Sequence, residues 1–173
     1  MANLSSQKHS NIARPYALAA FEYAQKTNQL ATWKKFLETA ASIAQDDNVV
    51  QLLEDPAFPS KKLFDLFEAI LGSQVDSKRK NFLLLLSQNK RLMMLPAIAD
   101  LFDTYYATLE KNSIVRVVTA TPIKKDFEEK LAQALTKRVQ QKVTLQCEID
   151  PALIGGAIIH IGDRVIDGSI AGN

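Results

Sequence analysis

The feature that most constrains this chain is where its glycines stand. There are 6, and 5 of them fall between residues 155 and 172; before that stretch there is only Gly72. Glycine supplies the positive φ and tight turns that other residues resist. A chain almost devoid of it for 150 residues, and then rich in it, has to change architecture at that point. Gly155-Gly156 precede a short apolar run, Gly162-Asp163 follow it, and a second run covers Arg164 to Ile166. Two short strands joined by a tight turn are predicted, with Gly155 and Gly168 as the positions where positive φ is expected. A phosphate-binding loop is excluded: such loops follow a strand and open a helix, whereas this glycine pair opens a strand and no Lys-Ser/Thr pair comes after it.

Upstream, the apolar period is helical. Ile12, Tyr16, Ala19 or Ala20, and Tyr23 predict a helix over 11–27 with Pro15 in its first turn, where proline is tolerated. Leu30, Trp33, Phe36, Leu37, Ala40 and Ile43 predict a second, and residues 48–53 a short third. Two prolines in Asp55-Pro56-Ala57-Phe58-Pro59 break the chain. Ser60 is read as the N-cap of a fourth helix that Gly72 stops. Asp76 or Ser77 starts a fifth, containing Phe82 and Leu83 to Leu86. Gln88 to Arg91 interrupts, and a sixth begins near Met94 or Leu95, with Pro96 at its start. Met93 and Met94 read as gap fillers. Helices of this length are marginal alone, so about six of them must share a core, in a bundle spanning residues 1–110.

The period then changes. Val115, Val117 and Val118 predict a strand. Phe127, Leu131, Leu135 and Val139 predict a helix with Lys124, Lys125, Glu128, Glu129 and Lys130 outside. Val143, Leu145, Cys147 and Ile149 alternate as a second strand, with Cys147 read as a small buried hydrophobe. The fold class is therefore α+β, mainly α: the bundle, then a small β-α-β-β unit over 111–173, split off between Glu110 and Ser113. A sheet that small has little core of its own and is expected to need a partner, or the bundle, to be fully stable.

Composition removes most catalytic readings. The two histidines, His9 and His160, lack a neighbouring Cys or His at metal-ligand spacing. Asp46-Asp47 and Glu128-Glu129 are adjacent pairs that diverge on a helix and read as solvated surface. Ser169 lacks the strand-to-helix elbow of a serine hydrolase. No catalytic, cofactor or metal site is expected. A single cysteine fits a reducing compartment, no apolar run reaches the roughly 20 residues that span a bilayer, and residues 1–10 do not read as a signal sequence. Residues 1–110 carry 12 Lys+Arg against 12 Asp+Glu. An RNA-binding helical module is the alternative, resting on Lys34-Lys35, Lys61-Lys62, Lys78-Arg79-Lys80 and Lys90-Arg91, but the charge balance is not that of a nucleic-acid footprint.

Several ordered motifs carry a resemblance. Ala13-Arg14-Pro15-Tyr16-Ala17 with Ala20-Phe21-Glu22, Lys61-Lys62 before an apolar helix, Asn89-Lys90-Arg91-Leu92 before Leu95-Pro96-Ala97-Ile98, and Gly155-Gly156-Ala157-Ile158-Ile159, Ile161-Gly162-Asp163 and Val165-Ile166-Asp167-Gly168-Ser169 together resemble the δ subunit of F-type ATP synthases, the oligomycin-sensitivity-conferring protein family. The resemblance runs from Ala13 to Ile170. It departs at Lys90, where the family more often has a small residue, and after Ser169, where the family has another amphipathic helix that Ser169 caps and this chain stops at Asn173.

The resemblance implies a non-catalytic stator subunit of the peripheral stalk, which ties the catalytic head to the membrane sector and resists rotor torque. It implies a peripheral position on the cytoplasmic face of a bacterial inner membrane, with neither nucleic acid nor a small-molecule substrate as partner. The bundle would bind N-terminal segments of the α subunits in a groove between its first and fifth helices. Candidate contacts there are Arg14, Tyr16, Ala19, Ala20, Tyr23, Phe82, Leu85 and Leu86. The C-terminal unit would bind the ends of the b subunits, with Val165, Ile166, Ser169 and Ile170 as candidates.

Overall fold

The structure, a computed structural model, describes residues 2–139, 142–168 and 170–171. The chain separates into two compact units, 1–106 and 107–173. The first holds helices α1 (Ala2–Lys26), α2 (Leu30–Gln45), α3 (Asp47–Glu54), α4 (Ser60–Leu71), α5 (Ser77–Gln88) and most of α6 (Leu95–Ser113), with single 3-10 turns at Gly72–Gln74 and Leu92–Met94. The division falls inside α6, before the expected 110/111 boundary.

Capping residues set where these helices begin and end. Asp46 takes the backbone N–H groups of Asn48 (3.0 Å) and Val49 (3.4 Å) and so starts α3. Asp76 takes that of Arg79 (2.8 Å) and starts α5. Such caps satisfy donors that have no partner inside the helix. Gly72 closes α4 at φ +53°. Ser60 is not the cap it was expected to be. Pro59 holds that position without a side-chain bond, and the Ser60 carbonyl instead accepts from the Ser87 hydroxyl at 2.8 Å, tying α4 to α5. Pro15 lies inside α1 rather than in its first turn. The bond it forgoes is to the Asn11 carbonyl, and both residues are exposed, so water can serve that oxygen.

The bundle core is rich in aromatics. Phe36, Phe67, Phe102, Leu37, Leu83, Leu86, Leu95 and Ile98 are fully buried, each contributing about 1.5–3 kcal/mol by removal from water. From α1 the core takes Ala13, Ala17, Ala20 and Ala24, with Phe21. The expected stripe of Ile12, Tyr16 and Tyr23 is only half-buried, so the true face is turned by about one residue, or 100°. Alanine's small side chain lets helices approach closely. Met94 is buried but Met93 is exposed.

The second unit, after the last turns of α6, contains β1 (Ile114–Thr119), α7 (Lys125–Val139), β2 (Thr144–Ile149), β3 (Leu153–Gly155), β4 (Ala157–Ile161), β5 (Arg164–Asp167) and β6 (Ile170–Ala171). Four strands form a mixed sheet in the order β2-β1-β4-β5. β1 pairs parallel with β2, as a crossover through α7 allows, and antiparallel with β4. Its core is small: Val115, Val117, Leu135, Val143 and Ile161, with Ile123, Leu131, Leu145, Ala157 and Ile159 packed against them.

Several readings are corrected here. Phe127, expected on the buried face of α7, is 56% exposed. Cys147 is exposed, because β2 is an edge strand that α7 covers only in part. The β4–β5 hairpin closes through Gly162-Asp163, with positive φ at Gly156 (+76°) and Gly162 (+58°), not at Gly155 or Gly168. A Cβ on Gly155 would meet open space, whereas one on Gly162 would overlap the Asn112 carboxamide. Ile170–Ala171 is extended and pairs with β3 as a second, two-stranded ribbon, so the helix implied after Ser169 does not begin there. Ser169 itself lies outside the described residues.

Candidate partner-binding surfaces

In the bundle, a seam of half-buried aromatics joins α1 and α5. At one end the Tyr16 hydroxyl accepts hydrogen bonds from Asn89 Nδ2 (3.0 Å) and Arg91 Nη1 (2.8 Å), and the Arg91 guanidinium lies 5.5 Å from the Tyr16 ring centroid. At the other end Tyr23 of α1 and Phe82 of α5 both meet Trp33 of α2 edge-on, at 5.9 and 5.5 Å. Trp33 in turn stands edge-on to Phe36 at 5.6 Å. These contacts pair the start of one helix's segment with the end of the other's, so α1 and α5 run antiparallel with Trp33 beneath them. Trp33 is buried and its indole N–H has no acceptor among the described residues.

Helical spacing completes the seam. Ala19 lies one turn from both Tyr16 and Tyr23 on α1, and Leu85 lies one turn from both Phe82 and Asn89 on α5. Ala19 is exposed and Leu85 is 47% exposed, a large apolar side chain in water. A partner helix laid along the seam would cover both. The remaining candidates are placed elsewhere. Ala20 and Leu86 are buried in the core and offer no surface. Arg14 lies on the opposite flank of α1 with exposed Leu18, the flank whose Phe21 meets Phe102 and Tyr105 of α6. Sequence reasoning did not place Trp33, Asn89 or Arg91 at this seam. The chain's single tryptophan was the available signal.

In the second unit, cross-strand neighbours share a face of the sheet. Val165 pairs with His160, and His160 with Arg116. Ile166 pairs with Ile159, and Ile159 with Val117. Val165 therefore projects on the polar face, where Arg116 faces His160 at 3.4 Å and Glu148 at 3.8 Å. Ile166 projects on the core face at the edge. Both are exposed, as are Ile114, Phe127, Ile149 and Ile154. For Ile170 the backbone alone is described.

Among the described residues no three His, Cys, Asp or Glu side chains gather to hold a metal. The Cys147 thiol pKa is pushed up, first by partial desolvation and then by the charge and hydrogen bond of Glu128, the reverse of an activated nucleophile. Several of the basic positions are engaged in the fold: Arg79 is buried beside Asp76, Lys80 pairs with Glu68, Lys34 with Glu38, and Arg91 with Tyr16. No helix of the described residues is long and apolar enough to cross a membrane.

The family model for the ATP synthase delta (OSCP) subunit matches residues 12–173. The chain is 41% identical over 163 residues to ATP synthase subunit delta of Cellvibrio japonicus (strain Ueda107), covering 94% of this chain and 92% of that protein. It is 39% identical over 163 residues to ATP synthase subunit delta of Marinobacter nauticus (strain ATCC 700491 / DSM 11845 / VT8), with the same coverage, 94% and 92%. A chain from the cryo-EM structure of the Toxoplasma gondii mitochondrial ATP synthase hexamer is similar at 26% identity and a TM-score of 0.48, covering 91% of this chain and 90% of that one.

Proposed function

The chain belongs to the ATP synthase delta (OSCP) subunit family, and from that premise we propose how its two units serve the enzyme. As a member of that family it is a peripheral-stalk subunit of the F-type ATP synthase, a stator part that associates with other subunits of the complex and with the membrane through them. Our reading is that it does no chemistry itself. The bundle holds the catalytic head by taking an amphipathic N-terminal helix of an α subunit along the α1/α5 seam. The C-terminal unit takes the C-terminal end of the b subunits, on the cytoplasmic side of the inner membrane.

One observation carries the first contact: a half-buried aromatic seam whose rims, Ala19 and Leu85, are left in water. Helix-in-groove recognition needs an apolar trough between two helices and a stripe to fill it. The second contact rests on the exposed apolar residues of the hairpin, whose strand β5 is the last of the four-stranded sheet. Trp33, the only tryptophan, reports on the seam through its emission. Titrating the protein with an α-subunit N-terminal peptide should change that emission saturably. Ala19→Asp and Leu85→Asp should each weaken binding at least tenfold, about 1.4 kcal/mol, with the helical circular dichroism intact. Full affinity in both variants overturns the seam. Ala20→Asp, by contrast, should unfold the bundle.

A further inference from the structure

The seam has a charge pattern that its aromatics do not explain. Residues 77–99 cover α5 and the entry into α6. They hold Lys78, Arg79, Lys80, Lys90 and Arg91, and no Asp or Glu. Two of these cations are answered from outside the stretch, Arg79 by Asp76 and Lys80 by Glu68. Lys78 and Arg91 form no ion pair among the described residues. Both stand at the seam. Lys78 lies one turn from Phe82 and two from Leu85, on the same stripe of α5 at the Trp33 end. At that end α1 brings Lys26, exposed and one turn beyond Tyr23, four residues after Glu22, the only acid of α1. Arg91 closes the other end. The eleven-residue step from Lys78 to Asn89 separates the two ends, about 17 Å along the helix.

Arg91 is more than a surface charge. It is half-buried. Its Nη1 donates to the Tyr16 hydroxyl at 2.8 Å, and its guanidinium lies 5.5 Å from that ring's centroid. These two contacts hold the plane of the fork. Its Nε and Nη2 bond to none of the described residues, and neither is sealed from solvent. A guanidinium fixed in plane with that edge open is suited to a carboxylate taken by two parallel hydrogen bonds. Between the two cationic ends lie Ala19 and Leu85, the apolar rims left in water. An occupant that matches the whole seam is therefore apolar in its middle and anionic at both ends. A nucleic acid would meet the cations but leave the apolar rims uncovered.

We propose that the seam selects an amphipathic helix whose apolar stripe is bracketed by carboxylates about three turns apart. The Arg91 fork takes one, and Lys78 with Lys26 takes the other. This rests on the proposed role of the seam as a helix-binding groove, and adds the charge that its occupant must carry. The test uses two synthetic helical peptides with the same apolar stripe, one with Glu and one with Gln at both bracketing positions. Each is titrated into the full chain, beside the α-subunit N-terminal peptide, with Trp33 emission as the readout. The Glu peptide should bind about tenfold more tightly than the Gln peptide at low salt, and the gap should narrow as salt rises. In Arg91→Gln the gap should shrink to about threefold. A merely structural role for Arg91 would weaken both peptides alike and leave their ratio unchanged. That result overturns the proposal, as do equal affinities or no binding of either peptide in the parent, or displacement of the Glu peptide by a single-stranded RNA of the same charge. Binding of the α-subunit peptide together with equal Glu and Gln affinities leaves the groove standing and removes the charge preference alone. A discriminating Glu peptide with no binding of the α-subunit peptide upholds the charge preference and removes the α subunit as the occupant.

Discussion

The two units bury their apolar residues to very different extents. In the bundle, three phenylalanines and a ring of leucines are sealed completely. In the sheet unit, five residues form the buried cluster, while Ile114, Phe127, Ile149, Ile154, Val165 and Ile166 stay in water. Surface grows more slowly than volume as a domain enlarges, so a unit this small buries a smaller fraction of its apolar side chains. The bundle too leaves Leu18, Ile70, Leu84, Leu85 and Met93 exposed, but around a far larger sealed core.

The comparison breaks most visibly if the bundle does not melt on its own. Phe67→Ala removes a fully buried ring and should cost about 3–5 kcal/mol. Hydrogen exchange should show that loss within residues 1–106 and leave amides of β1 and β4 unchanged; equal loss in both units would mean that they unfold as one body. A sharper probe of the sheet unit is Gly162→Val. The positive φ should cost about 1–3 kcal/mol even after the Asn112 carboxamide swings aside, while Gly155→Val, at a position with open space and ordinary φ, should cost little. Urea melts of both variants decide it, and equal effects would refute the turn assignment.

Smaller effects return to the bundle. Lys90 sits at φ +57°, where a Cβ crowds the following carbonyl. Lys90→Gly should therefore raise stability by up to about 1 kcal/mol in a thermal melt, the strain relieved exceeding the added chain entropy. A loss of stability would show that the lysine side chain contributes more than the strain costs. Smallest of all, the Asp103 carboxyl is pushed up by burial, with Lys34 opposing and Glu38 and Asp100 adding to the shift. The folded state thus holds this proton more tightly than the unfolded chain. Stability is highest below the ordinary carboxylate range and falls as pH rises through the raised folded value. Asp103→Asn should be more stable than the parent above that window, by under about 0.5 kcal/mol, and the gap should close in acid. A pH-independent gap would remove titration as its cause.

Much of the fold was legible because it is written in local terms. Asp76 as a cap, Gly72 as a stop and the valines of β1 each act within a few residues, so spacing alone located them. The exceptions share a cause. Alanine is neither clearly apolar nor polar, so the face of α1 that carries Ala13, Ala17, Ala20 and Ala24 lost out to the more conspicuous Ile12, Tyr16 and Tyr23. Alternation placed Cys147 on a strand, yet not whether that strand was an edge. The candidate site was legible in part. Tyr16, Ala19, Tyr23, Phe82 and Leu85 fall on one seam, while Arg14, Ala20 and Leu86 do not, because helical spacing gives angles and only packing gives the zero of angle.

By itself, then, the sequence determined the helical bundle, the change of period after it, the glycine hairpin and the family to which they belong, since each is set by near neighbours along the chain or by their order. Only the tertiary structure decided which flank of α1 meets α5, that Trp33 underlies their seam, that Arg91 closes one end of it against the Tyr16 ring, and that β6 returns to pair with β3. Those are contacts between residues distant in sequence. They depend on how the helices and strands pack, and no local pattern encodes that.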